Sequence, residues 1–332
     1  MREAKERNII VELTLFCPFY EKSQWLLSPM HPSNNVNHTP EVGKDSVYTI
    51  DHNGSLLQVQ EQLVTKIVTE LNGFPNLIFE ICNEPYFGGV TIEWQGHIAA
   101  LIASTEKNLP RRHLISQNIA NDWVLISSPI PNVSVFNFHY ATPPTAVKKN
   151  YHLNKVIGDN ETGFRGQADS TYRKEGWELI LAGGALYNNL DYSFASGFEN
   201  GTFKYPEKTP GGGSTELRTQ LSYLKKFILG FNFLKMKPDS NFHISATKTP
   251  RMHLLSEVGK QYAAYIVHGE RATITLSLPT GKYELTWIDP ITGKSVLKKL
   301  IDHTISKQSN AELSLQSPDY AFDIALSIVR KQ

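Results

Sequence analysis

Cysteine, net charge and long apolar runs are what this sequence has least of. Its two cysteines, Cys17 and Cys82, each lie inside an apolar stretch. Neither a disulfide framework nor a cysteine-based metal site can be read from them. Lysine and arginine number 33 against 32 aspartates and glutamates. That balance offers no field for nucleic acid or an anionic membrane surface, so no nucleic-acid partner is expected. No apolar run approaches the ~20 residues that would cross a bilayer, which excludes a helical membrane span. The opening Met1-Arg-Glu-Ala-Lys-Glu-Arg7 is charged and leads straight into a strand, so no signal peptide is read in this chain. No duplicated repeat is visible either.

Aromatic residues, by contrast, are plentiful: 16 Phe, 14 Tyr and 5 Trp among 332 residues. They suit a thick core, and they equally suit a cleft in which sugar rings stack on aromatic faces. The length allows one large domain and a small one.

The stretch Asn76-Leu-Ile-Phe-Glu-Ile-Cys-Asn-Glu-Pro-Tyr-Phe-Gly-Gly89 organises the rest. Leu77 to Cys82 reads as a buried strand, and Pro85 stops it, because proline has no N–H and a fixed φ. Glu84 is thereby left at the strand's C-terminal end, where parallel α/β folds place their active sites. A plain loop start is the alternative reading of the same residues.

Strand and helix alternate on either side of it. Strands are expected at Ile9–Phe16, His113–Ile119, Val133–Tyr140, Lys155–Glu161 and Ala185–Phe194. Helices are expected from Ser55 to about Leu71, from Ile92 to Lys107, from Thr171 to Ala182 and from Ser214 to about Phe231. Strand followed by helix six times implies a parallel sheet with right-handed crossovers. A long polar loop, Cys17–Gly54, and a Gly/Pro-rich loop, Gly197–Gly213, interrupt the pattern, and loops as long as the first are uncommon unless they build a site. From about Pro238 the texture becomes short alternating strands: Gln261–Val267, Ala272–Leu278, Tyr283–Ile288, Ser295–Leu300, Ala311–Leu315 and Phe322–Val329. Pro279-Thr-Gly281 and Asp289-Pro-Ile-Thr-Gly293 mark the turns between them. The division expected is an α/β domain over 1–237 and a small all-β sandwich over 238–332.

Glu161 is a second strand-end carboxylate, three strand–helix units after Glu84. In a barrel of eight strands those two ends face each other across the mouth. Two carboxylates so placed can divide acid and nucleophile work, at the ~5–5.5 Å separation of retaining glycosidases. The competing reading of Glu161 is a turn cap beside Thr162.

With strand-Asn83-Glu84-Pro85, then His139-Tyr140 and then strand-Glu161 in order, residues 1 to 235 resemble clan A of the glycoside hydrolases. These are retaining (β/α)8 TIM-barrel enzymes that include the family 5 cellulase- and mannanase-like group. The resemblance implies Glu84 as general acid/base, Glu161 as nucleophile and Asn83 bonding the sugar 2-hydroxyl. It implies His139 or Tyr140 orienting the nucleophile or contacting sugar, although the family often has His-x-Tyr where these two are adjacent. Trp25, Tyr86 and Tyr192 are candidate cleft aromatics, with packing as the other role open to each. If Glu84 ends the fourth strand, Ile9–Phe16 is the third, so the barrel is expected to be truncated at its N-terminus, with strands 3–8 present. Gln261 to Gly293 is similar to the β-sandwich module, labelled collagen-binding, that follows such barrels; a supporting role is the simpler expectation. No metal or organic cofactor is implied, a carbohydrate substrate is, and such domain pairs are typical of secreted or periplasmic bacterial enzymes. A degenerate barrel that binds carbohydrate without turnover is the alternative function.

Overall fold

The computed structural model describes residues 1–246, 248–304 and 312–331. The chain divides into two compact units: Met1–His139 with His152–Gly158, and Tyr140–Tyr151 with Asp159–Gln332.

The first unit opens with a short helix, α1 (Arg2–Glu6), and β1 (Val11–Phe16). The segment expected as one long loop, from Cys17 to Gly54, contains α2 (Lys22–Leu27), which is closed by a capping box between Glu21 and Gln24. Then follow α3 (Leu56–Leu71), β2 (Leu77–Cys82), α4 (Ile92–Glu106), β3 (Leu114–Asn121) and β4 (Val135–His139). Ser55 is the cap residue of α3 as expected, but its side chain makes no capping bond. The crossover between β3 and β4 has no helix among its described residues, so the expected six strand–helix repeats are interrupted there.

Every residue of β2 is buried, as in a parallel strand covered on both faces. Each large side chain buried there, such as Phe79 and Ile81, stabilises by roughly 1.5–3 kcal/mol. Some of the polar groups buried in the unit pair between elements. Buried Gln60 of α3 donates to Val47 O at 2.9 Å and accepts from Trp94 Nε1 of α4 at 2.9 Å. Those two bonds set how α3 meets α4.

The sheet curls. On its inner face, Glu12 Oε1 of β1 accepts from Ser116 Oγ of β3 at 2.7 Å and from Asn137 Nδ2 of β4 at 2.7 Å. In a flat sheet β1 and β4 would stand about 14 Å apart, three strand spacings, too far for one glutamate to reach an asparagine. Val156 N bonds Ser134 O at 3.2 Å, which starts β5 (Val156–Thr162) beside β4.

The second unit holds α5 (Thr145–Asn150), the end of β5, α6 (Asp169–Leu181), β6 (Leu186–Asn189) and α7 (Thr215–Leu229). Leu190 N bonds Thr162 O at 2.9 Å, placing β6 beside β5. The strand expected to reach Phe194 ends at Asn189, because the chain turns away to make an isolated bridge between Asp191 and Gly212. The parallel strands run in sequential order, β1 to β6, the arrangement of a partial α/β barrel.

Antiparallel strands complete this unit: β7 (Lys237–Pro238), β8 (Phe242–Ala246), β9 (Arg251–Glu257), β10 (Gln261–Val267), β11 (Ala272–Ser277), β12 (Gly281–Ile288), β13 (Ser295–His303), β14 (Glu312–Gln316) and β15 (Asp323–Arg330). They form two sheets, β13-β12-β15-β10-β9-β7 and β14-β11-β8. Strands β8 and β9 were not foreseen, and Ala311, expected to begin a strand, lies outside the described residues. Strand β10 is buried along its whole length because its two faces serve two cores. Tyr262, Ala264 and Ile266 join Trp287 and Ile274 between the sheets. Ala263, Tyr265 and Val267 pack on Trp177, Leu181, Leu224 and Phe227 of α6 and α7. Trp287, read from sequence as a core residue leading into a turn, is 2% exposed. No helix among the described residues is long and apolar enough to cross a membrane.

Candidate active site

Asn83 follows the last residue of β2 and bonds Phe16 O through its backbone N–H at 2.9 Å. The next residue, Glu84, has φ +39°, a left-handed conformation uncommon outside glycine. It is held there by Asn118, whose Oδ1 accepts from Glu84 N at 3.1 Å, and by the Phe87 N to Glu84 O turn at 3.0 Å. The strand end therefore projects the carboxylate as the run before Pro85 suggested.

Three side chains reach that carboxylate. Tyr20 OH donates to Oε2 at 2.7 Å, Tyr86 OH lies 3.3 Å from Oε1, and His139 Nδ1 lies 3.3 Å from Oε1. Asn83 Nδ2 donates to Tyr20 OH at 3.3 Å, and Tyr86 OH is bonded to Asn121 Oδ1 at 2.5 Å. Burial of its hydroxyl end, followed by the adjoining Glu84 and Cys17, holds the Tyr20 phenol far above its usual range. It therefore stays a donor at any physiological pH.

Tyr20 was missed by sequence reading. It sits in the loop after β1, and that loop is packed in a way composition alone did not show. Phe19 stacks on Tyr48 at 5.8 Å, and Tyr48 leans on Trp94 at 4.9 Å. Gly89, φ +73°, lets the chain after Glu84 pass so close that a Cβ would sit 2.3 Å from Asp45 O. The loop after β1 and the loop after β2 are locked against each other, and Tyr20 is delivered to Glu84 by that lock.

Trp25, a candidate cleft aromatic, belongs to the same packing. It is 3% exposed, touches Phe19 and His31, and donates its Nε1–H to Val42 O at 2.9 Å. Its ring is enclosed and offers no face to a sugar. Tyr86 is 36% exposed and does offer one.

In the second unit Glu161 stands next to the last residue of β5 and accepts a short hydrogen bond from Tyr140 OH. Tyr140 is the first residue beyond β4, has φ +55°, and donates its N–H to Glu161 O at 2.8 Å. The adjacency of His139 and Tyr140 thus acquires a reason. The left-handed turn at Tyr140 sends consecutive side chains to different carboxylates, His139 to Glu84 and Tyr140 to Glu161.

Phe164 is a residue the sequence reading passed over. It lies three positions beyond Glu161, is 70% exposed with φ +58°, and meets the Tyr140 ring edge-on at 5.5 Å. An exposed aromatic in a strained conformation beside a carboxylate is costly to keep for packing alone. The signal available in sequence was Gly163-Phe164, an aromatic directly after the strand-end Glu161-Thr162.

Thr162, next to Glu161, points the other way, toward Tyr187 OH at 3.4 Å. That contact ties β5 to β6. Tyr192 is half-exposed, with its ring 6.3 Å from Tyr205. Phe194, 50% exposed, carries Arg218 at 4.6 Å over its face.

No known family model matches the chain, and no curated protein matches it. Among solved structures it is similar to a glucosidase from Croceicoccus marinus, with 12% identity, 83% of this chain and 75% of that one covered, and a TM-score of 0.42. It is similar to an endo-1,4-beta-D-mannanase from Thermotoga petrophila, with 14% identity, 68% and 78% covered, and a TM-score of 0.47. It is also similar to endo-glycoceramidase II from Rhodococcus sp., with 10% identity, 99% and 81% covered, and a TM-score of 0.42. Likeness at this level assigns no role to any residue.

Proposed function

We propose that the chain is a retaining glycoside hydrolase of the clan A kind, with Glu84 as general acid/base and Glu161 as nucleophile. The observation that carries this reading is the different company of two strand-end carboxylates. Glu84 is flanked by groups that can exchange a proton or donate one, Tyr20, Tyr86 and His139. Glu161 accepts a short hydrogen bond from the Tyr140 phenol, which steadies a carboxylate. A double displacement needs two carboxyls in different surroundings, since one must give up a proton while the other attacks.

In the first step the Glu84 carboxyl proton moves to the glycosidic oxygen as that C–O bond breaks, and Glu161 Oε forms a bond to the anomeric carbon. In the second, Glu84 takes a proton from water, whose oxygen displaces Glu161 and restores both carboxyls. Asn83 contacts the sugar 2-hydroxyl, and Tyr86, Phe164 and Tyr192 are the aromatic surfaces available for stacking on C–H faces. The substrate is a β-linked poly- or oligosaccharide, and no cofactor is required. A secreted or periplasmic location and a supporting role for residues 238–332 belong to the same proposal.

The test is hydrolysis of a panel of aryl β-glycosides and β-linked polysaccharides by the native chain and by Glu161→Ala. The expected result is turnover that falls about 10⁴-fold or more in the variant, by analogy with loss of other nucleophiles. Added azide should restore part of it and give a glycosyl azide of inverted configuration. Glycan binding with no turnover by the native chain would replace this reading with that of a carbohydrate-binding protein.

A further inference from the structure

A third carboxyl group, two residues before Glu161 and hence on the same face of β5, belongs to the chemistry without touching it. Asp159 is 3% exposed. Its Oδ2 accepts from Ala141 N at 3.1 Å, and the Tyr140 N–H also favours its charged form. Its Oδ1 has no hydrogen-bond partner among the described residues. Those two amides belong to the turn where Tyr140 takes φ +55°. A bulky residue does not hold that conformation unless its surroundings impose it, at a cost of order 1–3 kcal/mol. Tyr140 is the residue whose hydroxyl bonds Glu161.

Resting on the glycosidase reading above, we infer that Asp159 is a positioning residue that clamps the Tyr140–Ala141 backbone and so aims the Tyr140 hydroxyl at the nucleophile. The chain of contact is closed and short. β5 presents Asp159 and Glu161 from one face; Asp159 holds the turn; the turn holds Tyr140; and Tyr140 holds Glu161. An aspartate in a buried strand has no packing reason to be there, since burying an acid is costly unless it is bonded. Burial, with Glu175 adding to it, raises the Asp159 carboxyl to about 8. At neutral pH it is chiefly the uncharged acid, so asparagine is a near isostere that retains a carbonyl acceptor for Ala141 N–H.

The clamp is tested by comparing Asp159→Asn with Asp159→Ala on the best substrate found for the native chain. Asp159→Asn is expected to keep kcat within a few-fold. Asp159→Ala is expected to lose kcat by about 10²-fold, as a misplaced reacting group does, with KM changed less than threefold and no rescue by azide. If Asp159→Ala does not fold, Asp159→Val fills the buried site without an acceptor, and the same kcat loss is expected. Wild-type kcat in Asp159→Ala or Asp159→Val, or a loss confined to KM, overturns the proposal. Equal loss in Asp159→Asn and Asp159→Ala overturns it as well.

A native chain inactive on every glycoside defeats the glycosidase reading, not the clamp, because the clamp has its own readout. Amide hydrogen exchange at Ala141 should quicken at least tenfold in Asp159→Ala and stay near native in Asp159→Asn. Unchanged exchange in both variants overturns the clamp whether or not a substrate is known.

Discussion

At the scale of single residues, the two carboxylates are separated by what surrounds them. Tyr20, Tyr86 and His139 stand within 3.3 Å of the Glu84 carboxylate, and Tyr140 bonds Glu161. Replacing the first should therefore give a signature that replacing the second does not. Glu84→Gln is expected to slow glycosides with poor leaving groups by about 10²–10⁴-fold, the usual worth of general acid catalysis. Activated aryl glycosides, which leave without a proton, should lose far less in the first step. Leaving-group dependence measured across a nitrophenyl series checks this, and an equal loss on all leaving groups would remove Glu84 from the role. Gly89 is where the loop after β2 passes against Asp45 of the loop after β1. Gly89→Ala would put a methyl group 2.3 Å from Asp45 O at φ +73°. Relaxation must part the loops, so kcat is expected to drop with the fold intact by far-UV circular dichroism.

At the scale of elements, α6 carries the second unit. Its Trp177 and Leu181 pack on β10, and its charged residues reach the antiparallel strands with good geometry. Arg173 Nη2 bonds Asp323 Oδ1 at 2.8 Å, its Nε bonds Oδ2 at 3.1 Å, and Tyr265 OH bonds Oδ2 at 2.6 Å. Removing one partner leaves a buried charge, which typically costs 3–5 kcal/mol, whereas replacing both can be nearly neutral. Arg173→Met is accordingly expected to lower the urea midpoint by about that much free energy with an unchanged m-value. The double variant Arg173→Met with Asp323→Leu should recover most of the loss. Glu178, also on α6, takes Arg251 Nη2 at 2.8 Å and His253 Nε2 at 3.3 Å. Burial alone would raise its carboxyl, but the bonds from His253 and Arg251 outweigh it and hold the group at about 2.

At the scale of the whole molecule, Glu178 and Asp159 pull the pH dependence of stability in opposite directions. The Glu178 carboxyl is lower in the fold than the usual 4.5. Its stabilisation is present above 4.5 and is lost as pH falls toward about 2. The Asp159 carboxyl is raised from 3.8 to about 8. The folded state then holds a proton that the unfolded chain has released, so its favourable contribution is eroded as pH rises from 3.8 through 8. Stability of the second unit is expected to peak at about pH 4–5, and Asp159→Asn should flatten the alkaline side while Glu178→Gln flattens the acid side. Thermal unfolding across pH 3–9 measures both slopes, and an alkaline slope unchanged in Asp159→Asn would rule out Asp159 as its source.

Much of this was legible in the sequence because it is local. A proline after an apolar run must end a strand, so Glu84 at a strand end followed from Pro85 alone. Periodicity placed α3, α4, α6 and α7 to within a few residues, since a buried face repeats with the helix. Two alternating textures separated parallel from antiparallel sheet near Lys237. What sequence could not contain was contact between positions far apart in the chain. Tyr20 meets Glu84 only because two aromatic-packed loops fold onto each other, and Trp25, which looks like a sugar platform in one dimension, is consumed by that packing. The exposure of Phe164 and the clamp of Asp159 on Ala141 depend on left-handed turns that no composition signals at Phe or Tyr. The sequence by itself determined where strands stop and which acids stand at their ends, because steric rules act within a few residues. Only the tertiary structure decided which neighbours those acids keep, because that is set by packing between elements distant in sequence.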